Sequence, residues 1–152
     1  MKFHNGFTMV ELLITISIMA VLGASIMLST GSATASAKTV NIINNMRVLK
    51  EAATMYYLDH SDSEITQANL NSDTGVKTYL DNSSVLDGTI YSFVVTGSNW
   101  YIKYDFTNQT DKDTLASKLA SRASSTGLLQ NGNDGYSTYT NTSSYVVYMK
   151  AR

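Results

Sequence analysis

Residues 7–28 read FTMVELLITISIMAVLGASIML, an apolar run of 22 residues interrupted only by Glu11, one glycine and scattered hydroxyl side chains. As an α-helix this run would extend about 33 Å at about 1.5 Å per residue, close to the bilayer hydrocarbon thickness of about 30 Å. Glu11 is the only ionisable side chain between Phe7 and Ala37, and the polar remainder of the chain contains no second run of this kind. The sequence therefore predicts one spanning helix followed by a soluble body.

The composition excludes several classes of function. A chain of 152 residues has room for one ordinary domain. The absence of cysteine excludes disulfides, zinc–thiolate sites, iron–sulfur clusters and a cysteine nucleophile, and two histidines, His4 and His60, make a histidine metal centre or a hydrolase relay hard to build. The formal net charge of -1 argues against nucleic-acid binding through overall positive charge. We expect no catalytic residue, no metal and no cofactor.

Three interpretations of the apolar run compete: a cleaved secretory signal, a retained membrane anchor and a buried helix. Residues 29–37 (STGSATASA) have the small side chains of a secretory cleavage site. Against that interpretation, a carboxylate at Glu11 costs about 2.5–3.5 kcal/mol at the bilayer centre, and such residues usually have a functional partner. The carboxylate favours a helix that is retained.

The residues around Glu11 give a more specific indication. A short polar leader, Met1 to Gly6, is followed by Phe7-Thr8-Met9-Val10-Glu11 and then by the apolar helix. This arrangement resembles the class III signal of type IV prepilins and of the pseudopilins of type II secretion, and the resemblance covers residues 1 to about 58. It implies cleavage by prepilin peptidase between Gly6 and Phe7, N-methylation of Phe7, and a role in assembly for the intramembrane carboxylate of Glu11.

The chain departs from that family at one point. Many pilins have a helix-breaking proline near the position of Leu28, and this chain contains no proline. Gly23 and Gly31, with the small and hydroxylated residues near them, are the weak points at which the helix could melt locally in a filament, since glycine costs about 1 kcal/mol relative to alanine in a helix. The same small residues would also permit close helix packing.

From Lys38 onward the pattern is that of an amphipathic helix continuing to about Leu58, with an apolar stripe at spacings of four and three. A coiled-coil dimer is the alternative, although the stripe spans only about two heptads.

We expect an α+β fold in which a long N-terminal helix, membrane-spanning in its first half, packs by its second half on a small antiparallel sheet. The stripe comprises Ile42, Met46, Leu49, Ala53 and Tyr56, and the expected segments are a leader (1–6), a transmembrane and filament-core helix (7–37), an amphipathic helix (38–59) and a head (60–152).

The head sequence predicts a hairpin from residues 89–95 and 100–106, joined by a four-residue turn at 96–99. A capping box formed by Thr110 and Asp113 is expected to open a short helix to about Ala123. A polar loop over 124–142 and a closing strand over 144–150 should follow. Before the hairpin, a loop with short helical turns should be anchored by Ile65, Leu70, Val76, Tyr79, Leu80 and Leu86.

Three head features suggest chemistry, and each has a plainer explanation. Residues 131–135 (NGNDG) resemble a calcium loop but do not fit an EF-hand, so a glycine-rich turn is favoured. The many tyrosines could stack on single-stranded nucleic acid, but strand packing is favoured because basic residues are few, and DNA binding is unsupported. Adjacent Asp, His and Ser at 59–63 cannot form a relay without distant partners.

Together these features indicate a non-enzymatic prepilin that is inserted in the cytoplasmic (inner) membrane as a single-pass precursor and then polymerises into an extracellular pilus. Its expected partners are identical subunits, prepilin peptidase, the pilus assembly machinery and minor pilins. Three alternatives stay open: a type II secretion pseudopilin, a minor or competence pilin that binds DNA or surfaces, and a membrane-anchored enzyme or sensor that never polymerises.

Overall fold

The computed structural model describes residues 7–60, 65–132, 135–140 and 143–152 of the chain. The chain divides into two compact units, the first ending at Thr34 and the second running from Ala35 to Arg152. The elements are α1 (Met9–Asp59), α2 (Gln67–Asn71), two 3₁₀ turns (Val76–Tyr79 and Ser83–Val85), β1 (Tyr91–Thr96), β2 (Asn99–Asp105), α3 (Lys112–Thr126), β3 (Leu128–Gly132), β4 (Gly135–Thr138) and β5 (Val146–Lys150).

The α+β fold expected from the sequence is confirmed. The second half of α1 belongs to the second unit and supplies the largest apolar face of its core. Every member of the predicted stripe is buried, and Met46 and Leu49 are completely inaccessible. Both halves of α1 form one continuous helix by backbone hydrogen bonding, including the stretch from Gly23 to Gly31. The stripe was predictable because burial against a sheet imposes the helical period of 3.6 residues on apolar positions.

The predicted hairpin exists, but its turn is shorter than expected. β1 and β2 pair antiparallel up to Thr96 opposite Asn99, so the loop has two residues, Gly97 and Ser98, rather than four. Gly97 has φ of 59°, and glycine at the first position of a two-residue loop is typical of the turns that match the twist of paired strands. Thr96 and Asn99, which were expected to lie in the turn, extend the ladder instead.

All five strands form one antiparallel sheet in the order β1-β2-β5-β3-β4. The interpretation of 124–142 as a polar loop is wrong, since β3 and β4 form a second hairpin there. Leu128 is completely buried and pairs with Met149 of β5, so the hairpin completes the sheet beside the closing strand. The remaining residues of β3 and β4 are mostly polar, which concealed the strand pattern.

The helix α3 begins differently from the expectation. Its N-cap is Asp111, and the predicted capping box between Thr110 and Asp113 does not form. Asp113 instead accepts a hydrogen bond of 2.6 Å from the Tyr145 hydroxyl group, and the Asp111 carboxylate binds the Lys38 ammonium at 2.6 Å. Both carboxylates therefore bind side chains that are distant in sequence, and neither forms the expected capping bond in the first turn of α3.

The segment before β1 protects one of the two edges of the sheet, the edge formed by β1. Leu70, Val76 and Leu86 are completely buried, as expected for its anchors. From α2, the Asn71 side-chain amide accepts a hydrogen bond from the Phe93 backbone N–H at 2.7 Å and donates one to the Phe93 carbonyl at 2.9 Å. The Gln67 side chain accepts from the Val95 N–H at 3.2 Å. These amides satisfy backbone groups that an edge strand otherwise offers to another strand.

We predict that Asn71→Ala lowers the free energy of unfolding of the head by about 1–3 kcal/mol, because it leaves backbone groups of the buried Phe93 unpaired. Urea unfolding of the full chain in detergent can follow the single tryptophan, Trp100, which lies buried in the head. Asn108→Ala is the matched control, since Asn108 is exposed and has no hydrogen-bond partner among the described residues. Equal midpoints for the two variants would contradict the edge-protection role.

The Lys38–Asp111 pair generates a prediction about pH. The hydrogen bond from the Lys38 ammonium holds the pKa of Asp111 below its ordinary value of 3.8. A carboxyl group with a lowered pKa in the folded state stabilises above its unfolded pKa, and this contribution is lost as the pH falls through the folded pKa.

We therefore expect Lys38→Met to destabilise the head at pH 7 by up to about 1 kcal/mol, because both side chains are partly exposed. The difference from the wild type should disappear as the pH falls below the ordinary carboxyl value of 3.8. Unfolding midpoints measured across this pH range test the expectation, and a difference that persists in acid would show that Lys38 acts by packing alone.

Candidate functional site

The first unit contains an apolar helix whose side chains are left exposed by all described residues. Met9–Ile26 forms a stretch of 18 residues with mean hydropathy 2.2, of which none is buried, and by length and composition it can cross a membrane. The large apolar side chains that are exposed in and just before this stretch are Phe7, Met9, Val10, Leu12, Leu13, Ile14, Ile16, Ile18, Met19, Val21, Leu22 and Ile26. Because these side chains cover all faces, the helix fits an environment that is apolar on all sides.

The hydroxyl groups within this helix are satisfied by the helix itself. Thr15 donates to the Leu12 carbonyl at 2.8 Å, and Ser17 donates to the Leu13 carbonyl at 2.7 Å. Ser25 donates to the carbonyl of residue 21 at 2.9 Å. Hydroxyl groups bonded in this way need no partner from outside, so they carry little cost in lipid or between packed helices.

The start of the helix is closed by a reciprocal pair of residues, Thr8 and Glu11. The Thr8 backbone N–H donates to Glu11 Oε2 at 2.9 Å, and the Thr8 hydroxyl donates to the same oxygen at 2.8 Å. The Glu11 backbone N–H lies 3.3 Å from Thr8 Oγ1, and the Thr8 carbonyl accepts the first helical hydrogen bond from Leu12. This is a capping box, in which two backbone donors at the helix start are satisfied by side chains.

Glu11 is hydrogen-bonded, and no cation of the described residues neutralises its charge. None of the ion pairs formed by the described residues includes Glu11. Its nearest surroundings in sequence are exposed apolar side chains, with Phe7 83% and Val10 63% exposed. A hydrogen-bonded carboxylate in an apolar setting still attracts a cation strongly, because the low dielectric constant strengthens opposite-charge attraction. Glu11 is therefore the group of this helix best suited to bind an amine.

The structure brings together only part of the predicted site. Gly6, and with it one side of the predicted cleavage position, lies outside the described residues. Phe7 directly precedes the capping box, and Glu11 lies in the first turn of α1. The role of Thr8 was missed at the level of sequence, although a threonine followed three residues later by glutamate before an apolar run is the pattern of a capping box.

The tyrosines of the head pack on one another. The Tyr136 ring stacks on Tyr101 with centroids 3.6 Å apart and meets Tyr148 edge-on at 5.1 Å. Tyr101 is buried, and the adjacent Lys103 is paired with Asp105 at 3.1 Å. The rings of this cluster therefore act in sheet packing, and the cluster adds no support for nucleic-acid binding.

The other candidate groups of the head have structural contacts. The His60 ring stacks on Tyr56 at 4.0 Å, and His60 Nδ1 lies 3.0 Å from the Tyr56 carbonyl, while Asp59 accepts a hydrogen bond from Tyr79 at 2.7 Å. Residues 61–64 lie outside the described part of the chain. In the region considered as a calcium loop, β3 ends at Gly132 and β4 begins at Gly135, and residues 133 and 134 also lie outside the described part.

Comparison with known proteins identifies the N-terminal segment. Residues 1–27 match the model of the prokaryotic N-terminal methylation motif. The resemblance inferred from Gly6, Phe7 and Glu11 is thereby confirmed, since this motif is the class III signal of type IV pilins and pseudopilins. No curated protein and no solved structure matches the chain significantly. The match lies within the first unit, and the head is characterised by its fold alone.

The capping box generates a prediction about the start of α1. We expect Thr8→Val to expose the Glu11 backbone amide to exchange, because the variant removes the hydroxyl group that accepts from this N–H and donates to the Glu11 carboxylate. Thr8→Ser should keep protection near the wild-type level, since serine retains the hydroxyl. Amide hydrogen exchange of the full chain in detergent micelles measures the effect, and unchanged protection in Thr8→Val would contradict the capping role.

Proposed function

We propose that this chain, which carries the class III signal of type IV pilins and pseudopilins, is the precursor of a structural subunit of a type IV pilus or a related extracellular filament. The observation that carries the proposal is an apolar helix, exposed on all faces, whose single carboxylate has no counter-charge among the described residues. Lipid can cover such a helix before assembly, and identical helices can cover it afterwards. The role is structural, and we assign no reaction to the chain.

Processing prepares the site for assembly. The matched motif supports cleavage by prepilin peptidase between Gly6 and Phe7, followed by N-methylation of Phe7. Cleavage converts the Phe7 amide nitrogen into a cationic amine next to the helix start. It also removes Lys2, so the formal side-chain charge of the chain changes from 11 − 12 = -1 to 10 − 12 = -2.

The new amine has a complementary partner in Glu11 of a neighbouring subunit. Opposite unit charges about 4 Å apart attract by about 4 kcal/mol at an effective dielectric constant of about 20. This attraction is comparable with the cost of about 2.5–3.5 kcal/mol for a carboxylate in the bilayer centre. The contact therefore compensates the insertion cost of Glu11 only when a neighbouring subunit places its Phe7 amine beside the carboxylate. Because cleavage creates that amine, assembly depends on processing.

The expected route of the protein follows from these parts. The precursor is anchored in the cytoplasmic (inner) membrane through residues 7–37, with residues 38–59 packed on the head and the head (60–152) outside the cytoplasm. Prepilin peptidase removes residues 1–6, and the pilus assembly machinery incorporates the subunit into a helical filament at the cell surface. The packed N-terminal helices form the filament core, and minor pilins are further expected partners.

A second candidate function, the pseudopilin of a type II secretion system, has the same N-terminal motif in its favour. Both functions use the same helix, the same cleavage and the same Glu11 contact, and these features therefore do not distinguish them. The location of the filament does. A pilus subunit is recovered by shearing intact cells, and a pseudopilin remains with the cell envelope. We favour the pilus because residues 131–135 lack the spacing of an EF-hand calcium loop.

We predict that the mature protein in sheared surface material begins at N-methylated Phe7. Intact-mass and N-terminal mass spectrometry of the sheared fraction and of membranes from the native host measures this directly. Unprocessed chain beginning at Met1 should occur only in the membrane fraction. A sheared or secreted form cut near Ala37 would contradict the proposal, because it would identify residues 7–37 as a discarded secretory signal.

We further predict that Glu11→Ala leaves the protein inserted in the membrane but depletes sheared filaments about tenfold or more, since about 1.4 kcal/mol of lost attraction already changes an equilibrium tenfold. Asp81→Ala is the control, because it removes an exposed carboxylate of the head. Filament yield is measured by immunoblotting of sheared and membrane fractions. A normal yield from Glu11→Ala would remove the assembly role of this residue.

A further inference from the structure

A cavity of about 220 Å³ lies in the second unit, between α1, the β1–β2 pair and the segment that follows β2. This volume is below the range of about 300–1,000 Å³ that is typical of sites for drug-sized ligands, so the cavity has room for one small ring or a short chain. It is called the polar cavity here, because its lining includes six polar side chains: Lys38, Asn41, Asn45, Tyr91, Tyr104 and Gln109.

Two phenol groups form the buried wall of the polar cavity. Tyr91 and Tyr104 are paired across β1 and β2, and their ring centroids lie 4.8 Å apart. Tyr91 is 8% exposed and Tyr104 is 3% exposed. Burial raises the pKa of Tyr91 to about 12, and burial also raises the pKa of Tyr104 above its ordinary value of 10.0. Both hydroxyl groups therefore keep their protons at neutral pH and remain hydrogen-bond donors.

These hydroxyl groups accept hydrogen bonds, but they donate none to the described residues. Asn45 Nδ2 donates to the Tyr91 hydroxyl oxygen at 3.4 Å. Gln109 Nε2 donates to the Tyr104 hydroxyl oxygen at 3.0 Å. The side-chain carbonyl oxygens of Asn45 and Gln109 in turn accept from none of the described residues. Since buried polar groups are normally hydrogen-bonded, the polar cavity offers both donors and acceptors to an occupant.

The charges around the polar cavity favour a neutral occupant. The Lys38 ammonium is bound by the Asp111 carboxylate at 2.6 Å, so their formal charges cancel. An anionic ligand would meet Asp111 and the amide oxygens, and a cationic ligand would meet Lys38. A ligand hydroxyl group has no charge and both donates and accepts, so it can accept from a phenol O–H and donate to an amide oxygen.

We propose that the polar cavity binds a neutral polyhydroxyl ligand, either a single sugar ring or a short polyol. The hydroxyl groups of Tyr91 and Tyr104 donate to it, and the carbonyl oxygens of Asn45 and Gln109 accept from it. Asn41 adds an exposed amide at the rim, and its side chain has no hydrogen-bond partner among the described residues. This binding goes beyond the filament role proposed above and does not depend on it.

A titration of the full chain tests the proposal. The chain is kept in micelles of a phosphocholine detergent, because a detergent with a sugar headgroup would compete for the cavity. D-glucose, D-galactose, N-acetyl-D-glucosamine and glycerol are added separately, and the NMR signals of the Asn45 and Gln109 side-chain amides are followed. We expect saturable shifts with a sugar or with glycerol, which distinguishes a ring from a short polyol, and none with acetate.

A cavity that holds water only would give no saturable shift with any of the four compounds, and this result would overturn the proposal. Saturable shifts with acetate of equal affinity would also overturn it, because they would identify an anion site. Neither result would affect the proposed filament function, which is tested by processing and filament yield.

Variants assign the binding to the polar cavity. Tyr104→Phe keeps the ring and removes the hydroxyl group, and it should raise the Kd of the bound compound about tenfold, as expected for loss of one hydrogen bond. Tyr101→Phe is the matched control, since it removes a phenol hydroxyl of the same strand outside the cavity, and it should leave the Kd unchanged.

A second variant avoids the core, to which Tyr104 belongs. Asn41→Leu replaces an exposed amide on α1 by an apolar side chain of similar size, and it should raise the Kd about threefold or more. Unchanged affinity in both Tyr104→Phe and Asn41→Leu would place the binding elsewhere on the protein and overturn the proposal.

Discussion

The apolar side chains of residues 9–26 have no partner within the described chain, and the rest of the protein's behaviour depends on that constraint. Leaving a single Leu, Ile or Val in water rather than burying it costs about 1.5–3 kcal/mol, and this helix exposes such residues on all its faces. The helix is therefore compatible with lipid or with other apolar helices. Its hydroxyl groups are bonded within the helix, and its first turn is closed by Thr8 and Glu11, so its polar groups do not oppose either environment.

The head buries one face of the second half of α1 and leaves the opposite face exposed. The buried face of α1 packs on a sheet whose strands are antiparallel throughout, and the Lys38–Asp111 pair connects α1 to the start of α3. Asn71 and Gln67 occupy the edge of β1, which discourages pairing of that edge with a second sheet.

Sequence patterns predicted the helices and strands in which burial recurs at a regular spacing along the chain, because such burial selects apolar residues at that spacing. Apolar positions at helical spacing revealed the face of α1 from Ile42 to Tyr56, and β-branched and aromatic residues revealed β1 and β2. The β3–β4 hairpin escaped prediction because only Leu128 marks it strongly as buried, and the start of α3 escaped because Lys38 and Tyr145 lie far from it in sequence. At the candidate site, Glu11 was evident because it is the only ionisable residue of the apolar run. The role of Thr8 depends on its hydrogen bonds to Glu11, and the one sequence signal for these bonds is the capping-box spacing of three residues.

Transfer of the helix from lipid to a filament core gains little from the hydrophobic effect, since lipid tails are as apolar as the packed side chains. The preference for assembly must then come from packing and from the few polar groups that can distinguish a protein neighbour from lipid. In the first unit Glu11 is such a group, because its bonds to Thr8 satisfy one oxygen without neutralising the charge. In the proposed filament the start of α1 therefore combines apolar area, which does not distinguish a protein neighbour from lipid, with a carboxylate that favours a correctly offset copy of the same chain.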